Sequence, residues 1–275
     1  MSIVFEHETH VENTIEEAFA WHERKGAFRR LMPPWELAEE VRADDNLEEG
    51  SQRIFRFPMG PIKMSWVAQH TAYNPPHSFE DIMLKGPFKS WHHIHKFENT
   101  PDGKVKIHDK VNYRLPMGFL GNIVAGRMIK KRLTRMFTAR EIRLERDLKR
   151  HAEFSHLKRK KILVAGSSGL IGRQLVAFLD TGGHDVWRLV RRSVKPDSKE
   201  ISWAPSSGDL DAKQLEGFDT IIHLGGAGIG DKRWSKSRMR LIEESRTIST
   251  TLLSEAIANL KKKPESFIVA SAVGW

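Results

Sequence analysis

The sequence contains no cysteine, which excludes disulfides, thiolate metal sites and cysteine nucleophiles. This absence is compatible with a reducing cytoplasm, where we expect the protein to reside. Long apolar runs are also absent: none approaches about 18 residues, so no transmembrane segment is expected. The first residues, MSIVFE, have neither a basic region nor an apolar core, and we do not expect a signal peptide. With 275 residues, 39% of them apolar and 29% charged, the chain is long enough for two globular domains.

Positive charge is concentrated in one segment. Fourteen Lys and Arg and four Asp and Glu lie between Arg127 and Lys161, which accounts for the whole formal net charge of +10. Apolar residues near helical spacing in this segment predict an amphipathic helix at about residues 119–150. We interpret its charge as a solvated face, with binding to nucleic acid or an anionic membrane as the alternative. Nucleic acid is not the expected partner, because no aromatic residues interleave with the exposed positions of this helix.

Strand-like runs alternate with turn signals before about residue 155. An initial strand at Ile3–Val11 leads into a short helix with Asn13 or Thr14 as its N-cap. Further strand-like runs occupy residues 51–57, 62–73, 78–84, 90–97 and 104–115. Short turns between them predict an antiparallel meander, with the long helix lying across it and a cavity between the two layers. Trp66, Trp91 and Tyr113 are candidate lining residues, with ordinary core packing as the alternative.

Histidines in this half suggest a metal site. On a strand, Trp91, His93 and His95 share one face. Two imidazoles at this spacing could bind a metal with a third ligand such as His70 or His108. However, no helical His-x-x-x-His and no assembled carboxylate accompanies them. We therefore favour hydrogen-bonded or cavity-lining histidines and predict no metal site.

Residues 161–175 combine a strand, a glycine turn and the start of a helix. Gly166 allows a sharp turn, Gly169 lets the backbone approach a pyrophosphate, and Gly172 lets the helix lie close to the strand. The alternative is an ordinary glycine-rich connection between a strand and a helix. The predicted cofactor contacts in this turn are Gly166, Ser167, Ser168, Gly169, Leu170, Ile171 and Gly172.

Strands and helices alternate from residue 161 onward. Strands are predicted at residues 162–165, 185–190, 201–203, 218–224 and 267–271, and helices at about 170–180 and 235–258. This order predicts an α/β Rossmann-type domain with a doubly wound parallel sheet. The predicted domains are 1–152 and 161–275, joined by a polar linker at 153–160.

The residues at the end of the second strand of this domain distinguish a site for NAD from a site for NADP. A site for NAD usually places Asp or Glu there to bind the ribose 2′-hydroxyl. This chain has Arg191 and Arg192, which could bind a 2′-phosphate, so we predict NADP rather than NAD. In the alternative, one arginine simply points into solvent. Further predicted cofactor contacts are Asp209 and Leu210 near the adenine, and Leu224, Gly225, Gly226 and Ala227 near the ribose of the nicotinamide.

About residues 2–150 resemble the START/Bet v 1-like superfamily, an α+β helix-grip fold also called SRPBCC, and within it the group once labelled "cell division inhibitor". The matching stretches are AWHER (20–24), RLMPPW (30–35), GPF (86–88), WHHIHKF (91–97) and YRLP (113–116). The resemblance implies a cavity for a hydrophobic small molecule.

Residues 161–275 resemble atypical or extended short-chain dehydrogenase/reductases of the NAD-dependent epimerase/dehydratase group. The matching residues are GHDV (183–186), LVRR (189–192), RW (233–234), Ser245, Arg246, Thr250, Leu253 and SAVG (271–274). The resemblance implies hydride-transfer chemistry, with Ser271 at the serine position, and makes Ser271 and Arg246 the candidate catalytic residues. Arg246 falls where many relatives carry an asparagine, and a Tyr-x-x-x-Lys pair would follow after Trp275. We therefore expect a Rossmann domain that is incomplete at its C-terminal end, in a chain that is itself inactive.

These features lead to three functional hypotheses. The first is an NADP-dependent oxidoreductase or epimerase-like protein that acts on a small-molecule substrate and is fused to a hydrophobic-ligand domain, with a homodimer as the candidate assembly. The second is a protein that senses a dinucleotide or ligand without turnover. The third is a nucleic-acid or anionic-membrane binder acting through the basic helix.

Overall fold

The computed structural model describes residues 2–116, 119–196 and 198–271, without the side chains of residues 119–124. The chain divides into two compact units, Met1–His156 and Leu157–Trp275. The division falls inside the segment that the sequence predicts as a linker.

The first unit contains a seven-stranded antiparallel sheet. Its strands in spatial order are β1, β7, β6, β5, β4, β3 and β2. Their bounds are β1 (Ile3–Val11), β2 (Glu39–Ala43), β3 (Gln52–Met59), β4 (Ile62–Asn74), β5 (Ser78–Lys85), β6 (Ser90–Asn99) and β7 (Val105–Arg114). The meander of β3 to β7 confirms the predicted runs to within about two residues. Strand β2 was not predicted, because it pairs only with β3 at the sheet edge and exposes nearly every side chain, so it lacks the alternation that marks a half-buried strand.

Three helices complete this unit: α1 (Ile15–Glu23), α2 (Gly26–Leu31) and α3 (Phe119–Glu153). Thr14 is the N-cap of α1, and its side chain and that of Glu17 cap each other's backbone N–H groups. Helix α3 extends three residues beyond its predicted end. Its apolar stripe is buried as expected, at Leu133, Phe137, Leu144 and Leu148.

An ion pair joins the two helices α2 and α3. Asp147 is buried on the packed side of α3 and accepts two hydrogen bonds of 2.6 Å from the Arg30 guanidinium. Such a two-pronged contact fixes both the distance and the orientation of the two side chains. Elsewhere on α3, Arg132 pairs with Glu36 and Arg150 with Glu153, so part of the basic surface is neutralised within the unit.

Trp66, Trp91 and Tyr113 belong to one apolar cluster, which also contains Phe88 and Phe137. Trp66 and Trp91 meet edge to face with ring centroids 5.2 Å apart, and Tyr113 is fully buried. This arrangement favours core packing over cavity lining for these three side chains. A pocket of about 300 Å³ lies instead along the exposed part of α3, lined by Trp35, Glu36, Met128, Lys131, Arg132 and Arg135.

The second unit is a five-stranded sheet in the order β10, β9, β8, β11, β12, with all neighbours parallel. The strands are β8 (Lys161–Ala165), β9 (Asp185–Val190), β10 (Glu200–Ser202), β11 (Thr220–His223) and β12 (Ser266–Val269). The helices are α4 (Leu170–Thr181) and α5 (Lys236–Ala258), with two short 3₁₀ turns at Pro205–Ser207 and Ala212–Leu215 that were not predicted. From β8 the chain adds β9 and β10 on one side of the sheet and then continues with β11 and β12 on the other side of β8. Open parallel sheets bind ligands at such a switch point, which here lies between β8 and β11.

Among the described residues, every helix is too short or too polar to cross a bilayer.

Candidate functional site

The turn after β8 approaches the end of β11 so closely that residue 166 must be glycine. Gly166 has a φ of +78°, in the left-handed region. A Cβ built on it would lie 2.6 Å from the carbonyl carbon of Leu224 and 2.7 Å from the backbone nitrogen of Gly225. Both the backbone conformation and the available space therefore exclude a side chain.

The other two glycines of the turn have different surroundings. A Cβ on Gly172 would lie 2.2 Å from the Gly166 carbonyl oxygen and 2.8 Å from the Ser167 Cα, so this glycine lets α4 pack on the turn. Gly169 is the N-cap of α4 and is exposed, and a Cβ there would meet only the Gly166 oxygen, at 3.3 Å. The first turn of a helix presents N–H groups without intrahelical partners. An anion can therefore reach these groups past Gly169.

Two apolar side chains are exposed beside this helix end. Leu170 is 81% exposed and Ile171 is 69% exposed, whereas Ser167 is buried and Ser168 is exposed. The predicted contact residues 166–172 thus comprise an internal part, formed by Gly166, Ser167 and Gly172, and an outer part that a ligand can contact.

His223, the last residue of β11, forms hydrogen bonds with the loop that follows this strand and with helix α5. The Nδ1 atom of His223 accepts a hydrogen bond of 3.4 Å from the Gly225 backbone, and its Nε2 lies 2.8 Å from the Ser249 hydroxyl. The Ser249 hydroxyl in turn donates to the Ser245 carbonyl oxygen at 2.7 Å. These contacts require a neutral imidazole that carries its proton on Nε2. Burial lowers the pKa of His223, which favours the same neutral form.

Helix α5 holds the rest of this loop. The Ala227 backbone N–H donates to the Ser245 hydroxyl at 2.8 Å. Arg246 donates to the Ala227 carbonyl oxygen at 3.2 Å and to that of Ile242 at 2.9 Å. A Cβ on Gly226 would lie 3.0 Å from the Arg246 guanidinium carbon, so the guanidinium lies directly against the loop.

The supporting roles of His223, Ser245 and Ser249 were not predicted from the sequence. The i, i+4 spacing of the two serines was the available signal, because it places both hydroxyls on one face of α5. Nothing in the sequence could reveal that this face meets the end of β11.

Arg191 and Arg192 follow β9, as predicted, but they have different surroundings. Arg192 donates to the Glu200 carboxylate at 2.7 Å, and Arg188 also approaches this carboxylate at 4.0 Å. Arg191 is exposed and has no hydrogen-bond or ion-pair partner among the described residues. Of these two arginines, Arg191 is the one without a partner among the described residues, so its guanidinium is the more accessible to a phosphate.

The remaining predicted residues lie in three places. Asp209 is exposed and forms an isolated backbone bridge with Ala204, while Leu210 packs against the core. Ser271 is exposed, two residues beyond the end of β12 and close to the point where the Ala270 N–H donates to the His223 carbonyl oxygen at 2.9 Å. Parallel strands place their carboxyl ends at one edge of a sheet, so Ser271 lies at the same edge as the glycine turn.

The first unit contains a separate polar cluster around the predicted histidines. His93 and His95 are buried and face the sheet interior, as predicted, and His93 Nε2 lies 3.1 Å from Asp109 Oδ1. Burial lowers the pKa of both imidazoles. Burial alone would raise the pKa of the Asp109 carboxyl, but the neighbouring imidazoles hold it well below its usual range. The sequence did not identify Asp81 or Asp109 as members of this cluster.

The second unit has the architecture of a dinucleotide-binding domain, in which a parallel sheet presents a glycine turn and a helix N-terminus at its switch point. Comparison with known proteins agrees: residues 162–275 match the model of the NAD dependent epimerase/dehydratase family. The second unit is thus similar in sequence to that family over these residues.

Three proteins illustrate the similarity. Epimerase family protein ML0860 of Mycobacterium leprae is 40% identical over 114 residues, covering 42% of this chain and 36% of that protein. Human epimerase family protein SDR39U1 is 31% identical over 117 residues, covering 42% and 38% of the two chains. A crystal structure of the nucleoside-diphosphate sugar epimerase from Corynebacterium glutamicum is similar with a TM-score of 0.77 and 32% identity, covering 98% of this chain and 54% of that one. The chain thus spans about half the length of that structure, and the matched segment covers little more than a third of the curated relatives.

Proposed function

We propose that the second unit binds NADP and forms part of an NADP-dependent oxidoreductase or epimerase-like protein that acts on a small molecule. The observation that carries this proposal is the glycine turn, where Gly166 and Gly172 are required by the protein's own packing and Gly169 is open to a ligand. Packing makes a weaker demand at the exposed position 169, where a Cβ would meet only the Gly166 oxygen, at 3.3 Å.

The residues at the carboxyl-terminal edge of the parallel sheet have separate roles in this proposal. The N–H groups of α4 bind the pyrophosphate, and Arg191 binds the 2′-phosphate. The loop from Leu224 to Ala227 lies against the ribose on the nicotinamide side, while Asp209 and Leu210 border the adenine. When bound, the nicotinamide supplies a hydride donor or acceptor. Ser271 would hydrogen-bond the substrate, and Arg246 holds the loop through the Ala227 carbonyl oxygen.

A second candidate function is dinucleotide sensing without turnover. The sequence contains two tyrosines, Tyr73 and Tyr113, and both lie in the first unit. Residues 161–275 therefore supply no phenol to act as the acid–base group that the family resemblance implies.

For the first unit we propose a helix-grip domain that binds a hydrophobic ligand. The antiparallel sheet, the two short helices after β1 and the long final helix α3 support the helix-grip assignment, and the hydrophobic ligand is what the family resemblance implies. The basic surface of α3 is partly neutralised by Glu36 and Glu153, which favours a solvated face over a nucleic-acid or membrane contact.

Titration with NADPH and NADH tests the proposed cofactor. Wild-type protein should bind NADPH more tightly than NADH. Arg191→Ala should remove most of this preference, because a charge-assisted contact contributes about 1.5–3 kcal/mol. Arg192→Ala should have a smaller effect, since Arg192 already pairs with Glu200. Equal affinity of the wild type for the two nucleotides would refute the NADP assignment.

A further inference from the structure

The polar cluster of the first unit is built by strand register. His93 on β6 is directly opposite Asp81 on β5, and His95 on β6 is directly opposite Asp109 on β7. All four side chains are largely buried, with exposed fractions of 15% for Asp81, 7% for His93, 10% for His95 and 13% for Asp109. Three adjacent strands thus place two imidazoles and two carboxylates on the inner face of the sheet.

The spacing of these groups suits a metal ion. One ligand atom from each of Asp81, His93 and His95 lies within 4.8 Å of the others. Asp81 Oδ2 and His93 Nδ1 are 3.6 Å apart. Two ligands of a tetrahedral zinc ion with bonds of about 2.1 Å are separated by about 3.4 Å, so this pair needs little movement to bind one.

Asp109 lies against both imidazoles and hydrogen-bonds that of His93. Its Oδ1 lies 3.1 Å from His93 Nε2 and 2.6 Å from His95 Nδ1. A proton on His93 Nε2 leaves the lone pair of Nδ1 directed toward Asp81. Metal-binding histidines commonly donate their second N–H to a carboxylate, which fixes the tautomer and the ring orientation. Asp109 provides this contact to His93, whereas its 2.6 Å contact with His95 Nδ1 lies outside hydrogen-bond geometry.

The charge of the cluster also favours a cation. Asp81 and Asp109 are two buried carboxylates, and Arg140 on α3 is electrostatically attracted to both. When a metal ion keeps both carboxylates ionised, one guanidinium balances only one of them. In addition, His70 lies directly opposite Asp81 on β4, and its buried Nδ1 has no hydrogen-bond partner among the described residues.

We propose that Asp81, His93 and His95 form a binding site for a divalent transition-metal ion such as Zn²⁺, with Asp109 as the carboxylate that orients His93 and lies against His95. Three protein ligands leave at least one coordination position for water or a bound small molecule. Nitrogen ligands select against Mg²⁺ and Ca²⁺, which prefer oxygen. The third ligand is thus Asp81, rather than the His70 or His108 considered from the sequence; His108 faces the opposite side of the sheet, toward Glu6.

Calorimetric titration of chelator-treated full chain with Zn²⁺ tests this proposal. We expect one tight site per chain, no comparable site for Mg²⁺, and a visible Co²⁺ spectrum typical of nitrogen and oxygen ligands. Asp81→Asn and His93→Gln should each weaken Zn²⁺ binding by about 100-fold or more, and Asp109→Asn by about 10–100-fold. His92→Gln is the matched control, because His92 lies on the same strand, faces the other side and pairs with Glu80.

Equal Zn²⁺ affinity in the wild type and in folded His93→Gln would overturn the proposal. A loss of Zn²⁺ affinity in His92→Gln as large as that in His93→Gln would also overturn it. If the cluster variants fail to fold, imidazole ¹⁵N NMR of the wild type replaces them. Zn²⁺ should then shift the ring nitrogens of His93 and His95 and leave those of His92 unchanged. A shift confined to exposed histidines would equally contradict the site.

Discussion

The two units carry their polar chemistry in different ways. In the second unit the part of the candidate site that would bind the pyrophosphate and the nicotinamide ribose consists of backbone: three glycines, the N-terminus of α4 and a loop held by α5. In the first unit the polar groups are side chains, which neighbouring strands bring together on the inner face of a sheet. A backbone site depends on the absence of side chains at a few positions, whereas a side-chain cluster depends on the register of several strands.

The difference predicts where each unit is vulnerable. The first unit should be sensitive to loss of a charged partner, because its buried carboxylates need their counter-charges. The second unit should be sensitive to added atoms, because its turn has no room for a Cβ at two of three glycines.

The largest effect is expected at Asp147. Asp147→Ala leaves the Arg30 guanidinium without its buried carboxylate, which should lower the free energy of unfolding of the first unit by about 3–5 kcal/mol. Urea denaturation measures this change. Asp45→Ala is the control, since Asp45 pairs with Lys25 at the surface and should contribute less than about 1 kcal/mol. Similar losses in both variants would show that burial of the pair does not matter.

Gly172→Ala should produce the next largest change, now in the second unit. The added Cβ would lie 2.2 Å from the Gly166 oxygen, so α4 must move, at a cost of about 1–3 kcal/mol. Gly230→Ala is the control, because nothing lies within 4 Å of a Cβ at that position. Denaturation of both variants should show a loss in the first and little change in the second. Wild-type stability in Gly172→Ala would mean that the turn tolerates a wider separation from α4.

The same contrast explains what could be predicted from the sequence. The turn at Gly166, Gly169 and Gly172 is local, so its spacing identified the strand, the turn and the helix together. The pairing of Asp81 with His93 is not local, because it depends on the register between β5 and β6, which no single segment encodes. Likewise, Arg191 and Arg192 were equivalent in the sequence, and only the position of Glu200 on β10 distinguishes them.

The smallest predicted effect concerns pH and His223. Burial lowers the pKa of this histidine in the folded protein below its value of about 6.5 in the unfolded chain. As pH falls below about 6.5, the unfolded chain therefore takes up the proton first, and the second unit loses stability. The contribution is fully present above that pH. His223→Gln should flatten this dependence in urea denaturation between about pH 5 and 8. If the free energy of unfolding of His223→Gln varied with pH as steeply as that of the wild type, the pH dependence would arise from other groups.

Dinucleotide binding by Gly169→Val tests the central claim most directly. The valine side chain would occupy the space in front of the α4 N-terminus, while within the protein its Cβ meets only the Gly166 oxygen, at 3.3 Å. We predict a folded protein that no longer binds NADPH, alongside Gly230→Ala with wild-type affinity. NADPH affinity equal to that of the wild type in folded Gly169→Val would contradict the placement of the dinucleotide on this turn.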